Sequence, residues 1–351
     1  MAVLDGETGD RTNADANAVT ERLVTASFVQ LVPTLSVDAL AATRLLLASL
    51  VRRDVPFQVT RRTDAVPGGT THVAVGCNSP SADVVLSPGS ATTEAVAILD
   101  ALGDHGVAGW SSVGKTFSAP QPADEAPSVI GVPTPDDPTG LADATLVHGP
   151  FSSDPESAGR LLARGTGRDV ATAVTIDTLC AGTTSPPLAD AIETFLRARP
   201  TPDGPFATTA GTADVLDVLV DVDPGLAIAL ACGHDAIADR ALKRWHTHSA
   251  AVHAAVERAA TTTGEIELDG DLAPVGATAR LIRTVTAPDK PIIVRNGTRI
   301  SVASPDPGDT DVGGMLAGPD RRVTDHGDGR VTIANWPADE SPVEYLSGGD
   351  R

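Results

Sequence analysis

The sequence predicts an α/β protein: an N-terminal domain built on a parallel sheet, followed by a smaller C-terminal α/β domain. Three observations predict it. Phe28 to Val32 is a short apolar run closed by Pro33 and Thr34, which reads as a buried strand. From Ala39 to Leu50 the residues Leu40, Leu45, Leu46, Leu47 and Leu50 recur at helical spacing with alanine between them, and Val55 to Val59 returns to a buried-strand pattern. A strand, a helix and a strand in that order make a unit with parallel strands. Finally, 351 residues are enough for two domains of ordinary size, each with its own core. Ligands of such a sheet bind at the carboxyl ends of its strands, where Thr34, Ser36 and Asp38 fall.

The charge balance sets the expected surroundings. Formal net charge is -20, from 46 acidic and 26 basic residues, and hydrophobic residues make up 41%, which suits a globular chain. Aspartate far outnumbers glutamate, lysine occurs only at Lys115, Lys243 and Lys290, and aromatics are only 3%. This balance predicts a cytoplasmic protein adapted to molar salt, where the screening length is only about 3 Å and surface carboxylates repel one another little. In such a protein the acidic total does not exclude nucleic acid as a partner, so local arginine clusters carry the signal. Arg52, Arg53, Arg61 and Arg62 form one around the second strand. Cys77, Cys180 and Cys232 are few, widely spaced and odd in number, which suggests neither a disulfide framework nor a zinc site. No basic-then-apolar leader begins the chain and no apolar run reaches the ~20 residues of a membrane span, so no membrane partner is expected.

Residues 1–17 read as a poorly ordered polar arm, with a short helix over Ala18 to Ala26. After the turn at Pro67 to Thr70, His72 to Cys77 and Asp83 to Leu86 continue the sheet, and Thr93 to Leu102 is a helix. Gly109 to Thr116 matches the phosphate-loop pattern GxxxxGK[ST] with Lys115 as its lysine. A helix precedes it and Pro120, Pro122 and Pro127 follow, whereas a phosphate loop needs a strand before it and a helix after it. Ser128 to Val132 and Ala144 to His148 read as strands, with Asp136, Asp137 and His148 nearby. The helices Glu156 to Leu162, Arg168 to Cys180 and Leu188 to Ala198 close an N-terminal domain at 18–200. Residues 201–212 have linker composition. The second domain, 213–337, contains a long helix over Ala236 to Ala260 and strands at Pro291 to Arg295, Arg299 to Ala303 and Arg330 to Ile333. Residues 338–351 are a polar tail. On the long helix His246 and His248 lie on different faces, which argues against a metal site there.

The stretch from Phe28 to Val59 resembles the first motif of the DHH phosphoesterase superfamily, in particular its RecJ-like exonucleases, in a degenerate form of halophilic archaeal type. Those proteins carry His-x-Asp-x-Asp there and hold a pair of manganese or magnesium ions. Asp38 falls on the second aspartate, Ser36 on the first and Thr34 on the histidine, so one of the three ligand positions keeps its carboxylate. A hydroxyl brings no negative charge to a hard ion. Ser87 and Pro88 stand where a second metal-binding aspartate is usual, and no Asp-His-His occurs in the chain. Asp104-His105 and Asp325-His326 each lack the second histidine. The C-terminal part is similar to the small domain that accompanies DHH domains, whose glycine-rich stretch approaches a nucleic-acid phosphate. Gly313 and Gly314, then His326, Gly327 and Gly329 with Arg330 as charge partner, take that place; a glycine-rich hairpin turn is the alternative. The resemblance implies a RecJ-like protein that binds single-stranded nucleic acid in replication or repair, in company with other replication or repair proteins. Its metal site, marked by Asp38, is degenerate, with little or no hydrolysis expected. An active manganese-dependent exonuclease acting through Asp38 is the alternative, and nucleotide hydrolysis at Lys115 a third.

Overall fold

The computed structural model describes residues 17–61, 69–104, 108–117, 130–165, 168–181, 186–201, 204–259, 265–268, 274–286, 288–305 and 311–347. The expected arm before residue 17, Arg62, His105 and the end of the tail lie outside these residues. Helix α1 (17–25) leads into β1 (Phe28–Pro33), α2 (Val37–Arg52) and β2 (Phe57–Val59), then β3 (Thr70–Val75) and β4 (Val84–Leu86). The four strands form one sheet in the order β2-β1-β3-β4, and every pair is parallel. The parallel sheet expected from the strand-helix-strand rhythm is therefore present. β2, expected to be a buried strand, is a half-buried edge of three residues.

Helix α2 is the buried centre of this half. Ser36 caps it by accepting a hydrogen bond from Ala39 N at 3.2 Å. Leu40, Leu45, Leu46, Leu47 and Leu50 are all buried, and each contributes roughly 1.5–3 kcal/mol by leaving water. The helix packs on the sheet on one side and on α3 (Ala91–Ala101) and α4 (Ala108–Lys115) on the other. Alanines 39, 41 and 42, fully buried, are small enough to admit neighbours on both sides.

A helical layer follows: α5 (Pro138–Ala142), α6 (Pro155–Leu162), α7 (Arg168–Ala181) and α8 (Pro186–Leu196), around a second core with Leu141, Phe151, Leu188 and Phe195. The segments expected as strands here are not strands. Residues 128–129 lie outside the described residues, and 130–132 and 144–148 are irregular. Their backbone groups are bound by helix and loop residues: Gly131 N donates to Phe195 O at 2.6 Å, Thr208 Oγ1 to Val132 O at 2.9 Å, and Thr145 N to Asp214 Oδ2 at 2.9 Å. Their apolar side chains are buried as the pattern predicted, but against helices rather than in a sheet.

Inside the segment expected as a linker, Thr208 already caps α9 (Thr209–Val222), whose fourteen residues are all buried. The described residues before α9 are strapped down: Thr201 N donates to Ala207 O and Ala207 N to Pro133 O, at 2.9 and 3.0 Å. α9 packs against α2, α4, α10 (Pro224–Ala231), α11 (Ala238–Ala259) and α12 (Val275–Thr286). The C-terminal sheet has the order β5-β6-β7-β9-β8, with β5 (Glu265–Glu267) parallel to β6 (Ile292–Asn296). β7 (Arg299–Ala303), β8 (Arg322–Asp325) and β9 (Arg330–Ala334) pair antiparallel. One face takes α12; the other buries Ile300, Ile333, Leu316 and Trp336 beneath α13 (Val312–Leu316) and α14 (Pro342–Ser347). Among the described residues no helix is long and apolar enough to cross a membrane.

Candidate functional site

The carboxyl ends of β1, β3 and β4 meet the loop that opens α3. Gly76 ends β3 with φ +73°, and a Cβ there would lie 2.6 Å from Thr34 Oγ1 and 2.7 Å from Ala39 Cβ. Only glycine fits that approach. Thr34 Oγ1 donates to the Gly76 carbonyl at 3.1 Å, and Ser36 is engaged as the cap of α2. Asp38 is buried, at 4% exposure. Its Oδ2 accepts from Ala91 N at 3.0 Å and its Oδ1 from Thr92 N at 2.8 Å, while Thr92 Oγ1 donates to the Asp38 carbonyl at 2.9 Å. Ser90, the residue at the start of α3, makes no side-chain capping bond; Asp38 does so from another helix. Burial pushes the Asp38 carboxyl up, against the opposing hydrogen bonds of Thr92 and Ala91. Glu94 is likewise engaged, accepting from Ser87 N at 3.1 Å and Ser90 Oγ at 2.7 Å.

A second group of carboxylates lies on α9. Asp214, Asp217 and Asp221 are spaced by three and four residues, which sets them on one face of the helix, and all are buried. Asp217 receives Arg330 in a bidentate pair, Nη2 to Oδ1 at 2.8 Å and Nη1 to Oδ2 at 3.1 Å, and Arg280 Nε on Oδ2 at 3.0 Å. Asp214 accepts from Thr145 N at 2.9 Å and from Thr145 Oγ1, and Arg280 Nη2 stands 3.7 Å from it. Asp221 accepts from Gly276 N at 2.7 Å and from Arg299 Nη2. The carboxyls respond in opposite directions. Burial pushes Asp214 up to about 6, with Arg280 and Thr145 opposing it. Burial also raises Asp217, but Arg330 and then Arg280 outweigh it and hold that carboxyl well below the usual range.

The residues expected to approach a nucleic-acid phosphate are placed as follows. Arg330 is 1% exposed and points into the molecule at Asp217, with Asp328 at 3.4 Å. His326 is buried, with Nε2 3.0 Å from Thr332 Oγ1; burial and then Arg330 push it down to about 3. Gly327, in the β8–β9 turn with φ +76°, lies directly on the loop before α3: a Cβ on it would stand 2.1 Å from Gly89 Cα. Gly329 lies in the same turn and its carbonyl accepts from Ser304 N. Gly313 and Gly314 are in α13, where Asp311 caps Gly314 N at 2.8 Å, a helical turn rather than an open loop. Arg52 and Arg53 sit at the end of α2, at the opposite edge of the sheet from Thr34, and pair with Asp104 at 3.4 and 3.3 Å.

The structure therefore brings Thr34, Ser36 and Asp38 together at one sheet end and sets His326, Gly327, Gly329 and Arg330 behind the facing turn, while Arg52 and Arg53 are elsewhere. Lys115 and all of its pattern but Thr116 lie within helix α4, not in a loop between a strand and a helix. The histidines pair rather than cluster: His253 Nδ1 is 3.1 Å from His148 Nδ1, and His246 Nδ1 is 2.7 Å from Asp143 Oδ2. Asp137 caps α5. The aspartates of α9 and Arg280 are what sequence reasoning missed. Three aspartates at helical spacing inside an otherwise apolar helix were the available signal.

These residues do not fit a divalent pair. Both oxygens of Asp38 accept backbone N–H groups, the α9 carboxylates are engaged by guanidinium, hydroxyl or backbone N–H groups, and Thr34 and Ser36 are neutral. Among the described residues no three His, Cys, Asp or Glu side chains converge as a metal site.

No family model matches the chain. An uncharacterized protein of Haloarcula marismortui, rrnAC1427, is 35% identical over 322 residues, spanning 80% of this chain and 82% of that one. Among solved structures, CDC45 from Entamoeba histolytica superimposes with a TM-score of 0.50 at 9% identity, over 96% of this chain and 97% of that one. RecJ from Thermus thermophilus with Mn2+ gives a TM-score of 0.49 at 14% identity, over 96% of this chain. The chain spans 53% of the length of that RecJ. The likeness to CDC45, over 96% of this chain, takes in both of its α/β units, the one on the four-stranded parallel sheet and the one on the five-stranded mixed sheet. The chain belongs to the family of the Haloarcula marismortui protein and has a RecJ-like fold.

Proposed function

We propose that this chain works in DNA metabolism as a RecJ-like protein that holds single-stranded nucleic acid without hydrolysing it. One observation carries the second half of that reading: the carboxylates at the sheet end and on α9 are already engaged by backbone N–H groups, hydroxyls or guanidinium groups. Two-ion hydrolysis needs such groups free to hold the ions that activate water and stabilise the departing oxygen. The likeness to CDC45 supports the fold, and the RecJ-like architecture suggests a nucleic-acid partner.

Arginines gather on the other side of the closed turn, where Arg299 is already paired with Asp221 and Arg61 and Arg322 remain for a phosphate backbone. Arg61 is exposed and follows β2 at the carboxyl end of the parallel sheet. Arg299 and Arg322 both register with Ala334, on the two sides of β9, so their side chains share one face of the second sheet. Burial, then Arg322, then Arg299, push the Arg61 guanidinium down, and no carboxylate among the described residues offsets them. In so acidic a chain this is the place where phosphates meet positive charge.

The test uses 5′-labelled single strands with manganese in potassium chloride, across the range of salt in which the protein stays folded. The expected result is retention of intact strand. Reversing Arg61 and Arg322 together to glutamate weakens retention about tenfold or more, since about 1.4 kcal/mol is a factor of ten. Shortening of the strand by the wild type, abolished in Asp38→Ala, would establish the manganese-dependent exonuclease instead.

A further inference from the structure

We propose that the surface formed by Arg44, Trp110 and a cavity at the start of α11 docks an extended acidic segment of a partner protein, with an apolar side chain in the cavity and a carboxylate on Arg44. Arg44 is half-buried on α2, and its Nε is enclosed without a hydrogen-bond partner. Its Cζ lies 5.7 Å from the centre of the Trp110 ring. The turn that ends α10 closes on its other side, where Gly233, at φ +88°, leaves to Nη1 the space that a Cβ would fill. No carboxylate among the described residues pairs with it, whereas Arg53, Arg280, Arg295, Arg299, Arg321 and Arg330 each stand on one. A shielded guanidinium without a counter-charge is destabilising. A chain of 46 acidic residues that supplies none here leaves the place to an anion from outside.

The cavity indicates what carries that anion. It measures about 420 Å³ and is walled by Pro133, Pro200, Pro205, Phe206 and Leu242, with Asp239 among them. Proline rings have no N–H to satisfy and present carbon to an incoming chain, and such a volume holds more than one side chain. Two paths join it to the arginine. Gly109 packs on Thr201 of the cavity wall and Trp110 follows it, while one 3₁₀ turn, Asp235–Ile237, runs from the Gly233 turn to Ala238 in the wall. A ligand that reaches both is extended, as a peptide is at about 3.3 Å per residue. The Asp239 carboxylate repels an acid at the cavity and so fixes the direction, carbon there and carboxylate on Arg44. A nucleic-acid strand fits less well, because it would bring phosphates past Asp239 too. The surface shares no residue with Arg61, Arg299 and Arg322.

The probe is a panel of fluorescein-labelled hexapeptides with leucine or phenylalanine near one end and aspartate about two to four residues on. Each is titrated into the full chain in potassium chloride and followed by fluorescence anisotropy. Peptides with asparagine for the aspartate, or alanine for the apolar residue, are the controls. At least one acidic member is expected to bind about tenfold more tightly than its asparagine control. Arg44→Gln, which keeps the stem beside Trp110, abolishes that difference, and Arg44→Lys, which keeps the charge, retains part of it. Ala207→Phe, at an exposed position on the cavity wall, fills the cavity and weakens the acidic members about tenfold. Thermal melts of the three variants at the wild-type temperature show that they fold. The indole N–H signal of Trp110, assigned with Trp110→Phe, shifts when peptide binds and locates it. No acidic member binding up to millimolar peptide overturns the proposal, as do equal binding of aspartate and asparagine members or a difference that survives Arg44→Gln. Arg44-dependent retention of a labelled single strand, with no peptide bound, overturns it as well and assigns the surface to nucleic acid.

Discussion

Asp217→Asn isolates the electrostatic centre of the molecule. The wild-type carboxylate takes three charge-assisted hydrogen bonds from two arginines whose side chains are 5% and 1% exposed. Asparagine keeps the volume but removes the charge, leaving the buried guanidinium groups short of one counter-charge. Breaking a buried pair from one side costs about 3–5 kcal/mol. At about 2–4 °C per kcal/mol for a chain of a few hundred residues, the melting temperature should fall by roughly 6–20 °C. Asp214→Asn, one turn away on the same helix, should behave oppositely. Its carboxyl is pushed up to about 6 by burial, so the native state binds that proton more tightly than the unfolded chain does. The stability tied to it is full below the unfolded value near 3.8 and is lost as pH rises through about 6. Asp217, held below the usual range, contributes stability above about 3.8 that is lost only as pH falls through its folded value. Urea melts of the wild type and both variants at fixed potassium chloride, from pH 5 to 8, measure this. Asp214→Asn should gain on the wild type as pH rises, while Asp217→Asn stays several kcal/mol below it throughout. A loss under about 1 kcal/mol for Asp217→Asn, or an Asp214→Asn difference that does not move with pH, would refute the reasoning.

Two further outcomes follow from the contacts made by the loop and first turn of α3. Gly327→Ala forces a Cβ to within 2.1 Å of Gly89 Cα at a φ of +76°; thermal melts should show a loss of about 2 kcal/mol or more, from overpacking and backbone strain together. Asp38→Ala removes the acceptor of two backbone N–H groups at the start of α3. It should cost about 1–3 kcal/mol in a urea melt and increase hydrogen exchange at Ala91 and Thr92 before it changes any nucleic-acid retention.

Legibility differed sharply between kinds of feature. The β1-α2-β2 unit could be read from the sequence because its signals are local: an apolar run of strand length, leucines at helical spacing, and an edge strand a short turn later. The same periodicity misassigned 130–132 and 144–148, since alternation records burial and not whether a strand or a helix covers it. The fates of Arg330 and His326 also could not be read locally. A glycine-rich turn with an arginine after it suits a phosphate and suits a domain contact equally well, and Gly89, more than two hundred residues away, decides between them. The same holds for Asp38. Its charge, its position after β1 and its place in the first turn of α2 are written in the chain, but the two N–H groups that occupy it belong to α3 and arrive only when the helices pack. Composition and periodicity thus establish which segments are buried and in what order they come. Which buried charges neutralise one another depends on contacts between residues far apart in the chain, and for Arg280, Asp214 and Asp217 it is this long-range pairing that separates a metal cradle from a closed seam.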